Sequence, residues 1–159
     1  MERIVLVHGS VVGGRATWRE QRRTITGGVD LVVLERPGFP PGPLEDVDFE
    51  RHAGWVAERL AAGDHLVGHS YGGVVCLLAA ALGPEEARLA SLTVIEPPCT
   101  SVAPDDPEVA ALARSGAELY AQGHTMEPEA FLRLFLDAVG SDWDPPSPSR
   151  RRSRRASRL

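Results

Sequence analysis

Short aliphatic runs alternate with longer amphipathic segments along the first hundred residues of the chain. Each run is rich in branched side chains and lacks alternating polar positions, a pattern typical of strands buried on both faces of a sheet. Four such strands are predicted, over residues 4–7, 31–34, 65–68 and 92–95. Three helices are predicted between them, over residues 17–25, 49–62 and 74–82. Because strands that alternate with helices favour βαβ units, the sequence predicts an α/β fold with a mainly parallel sheet flanked by helices.

The pattern changes after Pro98, where helical periodicity continues and no fifth strand is indicated. Asp106 is a predicted helix N-cap, followed by Pro107 at the first helical position, and a second helix is predicted from Pro128. Three parts follow from this change: a core over residues 1–98, a helical segment over 99–144 and a low-complexity tail, expected to be disordered, over 145–159.

Charge is distributed unevenly over the 159 residues, which include 17 arginines and no lysine. The first 144 residues carry 11 arginines and 22 acidic residues, whereas the last 15 carry six arginines and no acidic residue. Such a tail attracts anionic partners through charge, but it lacks the interleaved aromatic side chains that stack on bases. We therefore expect no nucleic-acid partner. The absence of lysine also excludes a phosphate-binding loop of the P-loop NTPase type.

Neither a membrane span nor a secretory signal is indicated. The longest apolar run, residues 72–83, falls well short of the roughly 20 residues that a membrane-spanning helix needs. The first residues lack the order of basic, apolar and small residues that marks a signal peptide. Two cysteines, Cys76 and Cys99, make no disulfide framework, and no Cys/His cluster has metal-ligand spacing. We expect a cytoplasmic protein with no membrane partner, no metal and no organic cofactor.

The most informative segment runs from Asp64 to Leu82 and contains the pattern Gly-x-Ser-x-Gly. The pattern stands between a predicted strand and a predicted helix, the context in which it forms a nucleophile elbow. Gly68 and Gly72 permit the sharp turn, which forces Ser70 into a strained conformation with an exposed hydroxyl. The dipole of the following helix favours an oxyanion beside that hydroxyl. The alternative is a tight turn that carries a serine by chance.

With these motifs the chain resembles the α/β-hydrolase family. The matching stretches are VLVHGS, VVLERPGFP, GHSYGG and LTVIEPP within residues 3–98, and residues 105–140 resemble the start of that family's helical lid. The resemblance implies Ser70 as the nucleophile. It implies an oxyanion hole formed by the backbone N–H groups of Tyr71 and of Ser10 or Val11. It also implies hydrolysis of an ester, thioester or related acyl bond of a small molecule, as in a serine esterase.

A serine hydroxyl becomes a good nucleophile only when a histidine takes its proton and an acid orients that histidine. In the family that the chain resembles, both groups usually come from loops after strands that this sequence does not indicate. Glu96, at the end of the fourth predicted strand, is a candidate acid, and His124 is the one histidine expected to be able to approach Ser70. Asp142 and Asp144 are expected in a solvated loop.

Other histidines and aromatic residues are expected to have different roles. His8 is expected to pack or hydrogen-bond at the end of its strand, and His52 to lie at the surface or beside a helix. His69, inside the elbow, is a candidate for lining the substrate site, as are Tyr120 and Phe131 of the helical segment. These aromatic groups favour an apolar acyl or alcohol moiety, although packing between helices explains them equally well.

Three further expectations concern the whole chain. A sheet that stops at residues 92–95 has an open edge, which favours self-association through that edge. Without later strands and a late histidine, the chain is expected to be a truncated hydrolase with impaired activity, for instance through a frameshift near Trp143. A different class remains open, a dinucleotide-binding module in which Glu35 binds the ribose, although the preceding glycines do not form Gly-x-Gly-x-x-Gly.

Overall fold

The computed structural model describes residues 1–43, 45–83, 88–123 and 125–141, so the predicted tail lies outside the described residues. The chain divides into two compact units, Met1–Cys99 and Thr100–Leu159. The first unit contains β1 (Glu2–Val7), α1 (Gly14–Thr17), α2 (Arg19–Thr24), β2 (Val29–Leu34), α3 (Phe49–Ala57), β3 (His65–His69), α4 (Tyr71–Leu82) and β4 (Ser91–Ile95). The second contains a 3-10 helix (Thr100–Val102), α5 (Pro107–Gly123) and α6 (Pro128–Ala138). The predicted alternation of strands and helices is confirmed.

The sheet formed by the described residues is entirely parallel, with the strands in the order β2-β1-β3-β4. Val7 is paired with Leu34 on one side and with Gly68 on the other, and His69 is paired with Ile95. The carboxyl ends of all four strands therefore lie along one edge of the sheet. This is the edge outside which open α/β sheets bind their ligands.

The hydrophobic core joins the sheet to α3 and α4. Val5, Val7 and Leu66 of the strands are fully buried, and Val56 of α3 and Val75 of α4 pack in the same cluster. Burial of each such side chain stabilises the fold by roughly 1.5–3 kcal/mol. The core thus holds α4, and with it the turn that precedes α4, against the ends of β1 and β3.

The last strand departs from the prediction that every strand is covered on both faces. β4 is an outer strand of the described sheet, and its residues Leu92 and Ile95 remain 38% and 40% exposed. An unbroken apolar run predicts a strand, but it does not show which other elements pack against that strand. The pattern alone therefore could not distinguish the partly exposed β4 from the inner strands.

All three helices predicted between the strands have different ends in the structure, and the helix predicted over 74–82 begins at Tyr71. The helix predicted over 17–25 is two short helices separated at Trp18, whose φ of −98° and ψ of 22° are not helical and whose indole is buried. The helix predicted over 49–62 ends at Ala57, and the chain continues through tighter turns with hydrogen bonds between residues three apart. In the first case tertiary burial of one side chain overrides the local helical periodicity.

The second unit consists mainly of two helices. Asp106 caps α5 as predicted, since its Oδ1 accepts from the N–H groups of Glu108 and Val109 at 2.9 and 3.1 Å. Tyr120 of α5 contacts Phe131 of α6 with ring centroids 5.7 Å apart. Among the residues described here, no helix combines the length and the apolar character needed to cross a bilayer.

Candidate active site

Ser70 forms the connection between β3 and α4. Its backbone has φ 53° and ψ −126°, a conformation that costs on the order of 1–3 kcal/mol for a residue with a side chain. The Ser70 N–H donates to the Ile95 carbonyl, and its own carbonyl accepts from the Gly73 N–H, both at 2.8 Å. These bonds tie the turn to β4 and to the first turn of α4. The predicted sharp strand-to-helix turn is present, with a half-buried serine at its apex.

Two glycines make this turn possible. A Cβ atom on Gly72 would stand 2.4 Å from the carbonyl oxygen of His8, far inside van der Waals contact. A Cβ atom on Gly68 would stand 2.4 Å from the Gly72 carbonyl oxygen and 2.7 Å from Cys76 Sγ. Any side chain at either position would push the start of α4 away from the ends of β1 and β3. The spacing of glycines around Ser70 therefore has a direct steric cause.

The loop after β1, residues 8–13, lies against the Ser70 turn, and we call it the β1 loop. A Cβ atom on Gly9 would stand 3.3 Å from Ser70 Cβ, so the two backbones approach closely. Ser10 and Val11 follow Gly9 directly and are half-buried. Tyr71 is the first residue of α4, so its N–H has no acceptor within the helix and lies at the positive end of the helix dipole. The edge of the sheet thus brings together the segments that carry the predicted oxyanion-hole residues.

Glu96 follows β4 at the same edge. The register pairs His69 with Ile95, so Glu96 and Ser70 are the next residues of two adjacent strands. Glu96 has φ 48°, and within the described part of the chain it and Ser70 are the two non-glycine residues with positive φ. Its side chain is exposed. The candidate acid therefore lies at the same edge of the sheet as Ser70 and, like it, has a positive φ.

Two histidines are buried, and both hydrogen-bond away from the serine. His8 Nδ1 donates to the Gly9 carbonyl at 2.9 Å and its Nε2 accepts from the Arg36 N–H at 3.1 Å, as expected for a hydrogen-bonding role. Burial and the nearby Arg36 guanidinium lower the pKa of His8 to about 4. The surface position expected for His52 is wrong: it is 2% exposed, and its Nδ1 bonds to the Tyr71 hydroxyl at 2.9 Å. Burial is also the main cause of the lowered pKa of His52.

Of the remaining histidines, the structure describes the contacts of His65 and His69 but not those of His124. His65 Nδ1 bonds to the Ser91 hydroxyl at 2.8 Å, which links β3 to β4. His69 lies beside the β1 loop with its ring edge-on to Trp18, and its buried Nδ1 has no hydrogen-bond partner among the described residues. The candidate base His124 lies outside the described residues, as do Asp142 and Asp144.

The sequence interpretation missed a buried cluster beneath this edge of the sheet, formed by Arg36, His52 and Tyr71. Arg36 is 2% exposed and its guanidinium carbon lies 4.3 Å from the centroid of the Tyr71 ring. Burial raises the pKa of Tyr71 to about 12, so its hydroxyl stays protonated. One signal was available: His52 precedes the apolar Val56 by four residues and so lies on the same face of α3. No local pattern marks Arg36 as buried.

Tyr120 and Phe131, the other predicted substrate-lining residues, belong to the second unit. There they contact each other, and Phe131 and Phe135 have their rings stacked at 27° with centroids 6.4 Å apart. Gly123 makes room for this packing, since a Cβ atom there would stand 2.9 Å from Phe131. Packing between α5 and α6 is therefore the role that these aromatic side chains visibly have. Their contact with a substrate stays a prediction.

Glu35 has a structural role at the end of β2. Its two carboxylate oxygens accept from the N–H groups of Gly14 and Arg15 at 2.7 and 2.8 Å, which caps α1. A ribose-binding acid would need those oxygens for the sugar hydroxyls, so the geometry disfavours the dinucleotide-binding alternative. Among the described residues, no group of three or more histidine, cysteine or acidic side chains is arranged to hold a metal ion.

Comparison with solved structures finds proteins of similar fold. An epoxide hydrolase of the alpha/beta hydrolase superfamily, from metagenomes of hot environments, is 20% identical, with a TM-score of 0.68 over 96% of this chain and 55% of that one. NosK from Streptomyces actuosus is 24% identical, with a TM-score of 0.57 over 87% of this chain and 63% of that one. An extracellular alpha/beta-hydrolase from a Paenibacillus species is 16% identical, with a TM-score of 0.54 over 84% of this chain and 65% of that one.

These likenesses establish the fold, and the chain spans between 55% and 65% of the length of those three proteins. A search among curated proteins gives no match. The model of the Alpha/beta hydrolase family, by contrast, matches residues 4–158, nearly the whole chain. That match agrees with the parallel sheet and with the serine turn at its edge. The chain belongs to the alpha/beta hydrolase family.

Proposed function

We propose that this chain hydrolyses an ester, thioester or related acyl bond of a small molecule, with Ser70 as the nucleophile. One observation carries the proposal: Ser70 has φ 53° in a turn that only glycines can flank. A Cβ atom on Gly68 or on Gly72 would lie 2.4 Å from a backbone oxygen. A backbone so tightly constrained places the Ser70 side chain at the carboxyl edge of the sheet. Strain of this kind is typical of a functional residue.

The proposed reaction proceeds in two steps. Ser70 Oγ attacks the substrate carbonyl carbon, its proton passes to a base and then to the leaving alcohol or thiol, and an acyl-serine forms. Water then attacks the acyl-serine and releases the acid, which restores the serine hydroxyl. The negative oxygen of each tetrahedral intermediate is held by the backbone N–H groups of Tyr71 and of Ser10 or Val11. Neither step needs a metal or an organic cofactor.

The proposed reaction needs a base that takes the proton of the Ser70 hydroxyl. Three of the four described histidines have a ring nitrogen in a hydrogen bond elsewhere: His8 with Arg36, His52 with Tyr71 and His65 with Ser91. The ring of His69 packs edge-on against Trp18. The candidates for the base and its orienting acid are His124 and Glu96, as predicted from the sequence. The engaged histidines favour a second candidate function, an impaired hydrolase with weak turnover. Both candidates keep Ser70 as the nucleophile, so one set of variants distinguishes them.

The proposal predicts turnover of a short activated ester, such as p-nitrophenyl acetate, that depends on Ser70. We expect Ser70→Ala to lower kcat by about 1000-fold or more, because removal of a nucleophile leaves only the effects of binding and the oxyanion hole. Ser101→Ala, in the exposed 3-10 helix, is the matched control and should retain the wild-type kcat. Equal turnover by the wild type and Ser70→Ala would contradict the proposal.

Two further variants separate an active enzyme from an impaired one. If His124 is the base and Glu96 its orienting acid, His124→Ala and Glu96→Gln each lower kcat by about 100-fold or more. If turnover is weak, depends on Ser70 and does not change in either variant, the impaired hydrolase is the correct assignment. Labelling of Ser70 by a fluorophosphonate, read by mass spectrometry, shows whether its hydroxyl is activated as a nucleophile.

A further inference from the structure

Arg36 is a buried cation that contacts the β1 loop directly. Its Nε donates to the His8 carbonyl at 3.0 Å and its Nη2 donates to the Gly9 carbonyl at 2.6 Å. One planar guanidinium therefore holds two successive carbonyl groups at the point where β1 ends and the loop begins. Hydrogen bonds from a charged donor are among the stronger ones in proteins, and here they are shielded from water.

The same guanidinium contacts the first residue of α4. Its central carbon lies 4.3 Å from the centroid of the Tyr71 ring, and Phe49 stacks on that ring with centroids 4.3 Å apart. The Tyr71 hydroxyl is bonded to His52 Nδ1, which also lies 3.2 Å from Arg36 Nη1. The Tyr71 side chain is therefore held by its neighbours on several sides, and Arg36 is one of them.

We propose that Arg36 is a positioning residue that fixes the two sides of the oxyanion hole relative to each other. One side is the β1 loop with the Ser10 and Val11 amides, and the other is the Tyr71 amide at the start of α4. This inference rests on the function proposed above. That function does not itself depend on Arg36. Arg36 acts through the backbone and does not contact the reacting atoms.

The planarity of the peptide bond gives the physical mechanism. The Gly9 carbonyl and the Ser10 N–H belong to one peptide unit, in which they point in opposite directions. When Arg36 Nη2 and His8 Nδ1 hold the Gly9 oxygen, they also fix the direction of the Ser10 N–H. Without the guanidinium, this peptide loses one of those two restraints. Displacement of a catalytic hydrogen-bond donor by even about 1 Å can lower the reaction rate by about 100-fold.

Arginine is suited to this role in a way that lysine is not. Its guanidinium is planar and presents several N–H donors in fixed directions, so one group can bind two carbonyls and still stack on an aromatic ring. A lysine ammonium is a compact charge on a flexible stem and cannot do both at once. Arg36→Lys is therefore expected to recover only part of the function.

The kinetic test compares three variants on a short activated ester. Arg36→Met is expected to lower kcat by about 10- to 100-fold with KM within about twofold, because the hole holds the transition state more than the substrate. Arg36→Lys is expected to give an intermediate kcat. Arg59→Met is the matched control, since Arg59 also stacks on an aromatic ring, with its guanidinium carbon 3.8 Å from the Trp55 centroid, but lies outside the β1 loop and α4.

A second measurement does not need turnover. In Arg36→Met, the heteronuclear NOE of the Ser10 and Val11 amides is expected to fall, which indicates a more mobile β1 loop, whereas Arg59→Met should leave both values unchanged. If the wild type shows no hydrolysis that depends on Ser70, the proposed function fails and this measurement still decides the role of Arg36. If Arg36→Met does not fold, Arg36→Lys takes its place. Unchanged amide mobility in a folded Arg36 variant would overturn the inference, whatever the kinetics.

Discussion

At the scale of single residues, the space around Gly72 determines the geometry of the serine turn. A Cβ atom there would lie 2.4 Å from the His8 carbonyl oxygen and 2.6 Å from the Val7 carbonyl oxygen, both of which belong to backbone that cannot yield easily. Gly54 of α3 presents the opposite case, since no heavy atom lies within 4 Å of a Cβ atom placed on it. The same amino acid is therefore required at one position and replaceable at the other.

This contrast gives a paired stability prediction. Gly72→Ala is expected to lower the free energy of unfolding by at least about 1–3 kcal/mol, because the added methyl group must displace backbone. Gly54→Ala is expected to raise it by about 0.5–1 kcal/mol, because alanine restricts the unfolded chain and favours the helix. Urea unfolding followed by circular dichroism measures both. Equal effects of the two substitutions would show that close packing around the elbow is not what requires glycine.

The residue scale also shows what local sequence could predict about the site. Ser70 and its flanking glycines stand within five consecutive positions, so their shared chemistry is visible in the sequence itself. Arg36 and His52 are separated along the chain from Tyr71, which both contact. Contacts of that kind depend on how β2, α3 and α4 pack together, and no pattern within one segment encodes them.

At the scale of elements, Glu35 links the end of β2 to the start of α1. Its carboxylate accepts from the first two N–H groups of that short helix, which have no acceptor within the helix itself. A four-residue helix cannot be stable through its own hydrogen bonds, so this cap contributes to holding the segment in place. The β1 loop precedes α1 directly, and its far end is therefore anchored by Glu35.

Replacement of this cap should be measurable in the stability of the protein. Glu35→Ala is expected to lower the free energy of unfolding by about 1–2 kcal/mol, because two amides lose a charged acceptor. Glu35→Gln keeps one carbonyl oxygen as an acceptor and should cost less. Glu20→Ala, which removes an exposed carboxylate of α2, serves as the control and should change stability by less than about 1 kcal/mol. A Glu35→Ala protein as stable as the control would contradict a capping role.

At the scale of the whole molecule, the buried neutral rings of His8 and His52 make stability depend on pH. Burial and Arg36 lower the pKa of His8 from 6.5 to about 4, and the pKa of His52 is lowered for the same reasons. Between pH 6.5 and 4 the unfolded chain therefore binds more protons at these residues than the folded chain does. Stability contributed by the neutral rings is complete above about pH 6.5 and declines as the pH falls through this window.

We expect the free energy of unfolding to fall between pH 7 and pH 4, with a contribution from His8 of about 3 kcal/mol across the full window. Urea titrations at half-unit pH intervals measure the dependence. A folded His8→Gln variant should show a smaller decline, since its side chain takes up no proton. A free energy of unfolding that stays constant from pH 7 to pH 5 would contradict the lowered pKa values of His8 and His52.

The amino-acid pattern was enough to predict the alternation of strands and helices, the parallel sheet and the position of the serine turn. These features follow from hydrophobic periodicity and from steric demands that act within a few consecutive residues. Only the packing of the folded chain shows that β4 stays partly exposed, that Glu35 caps α1 and that His52 is buried with Arg36. Each of those outcomes depends on which distant segment packs against a residue, and burial and charge compensation are properties of that packing.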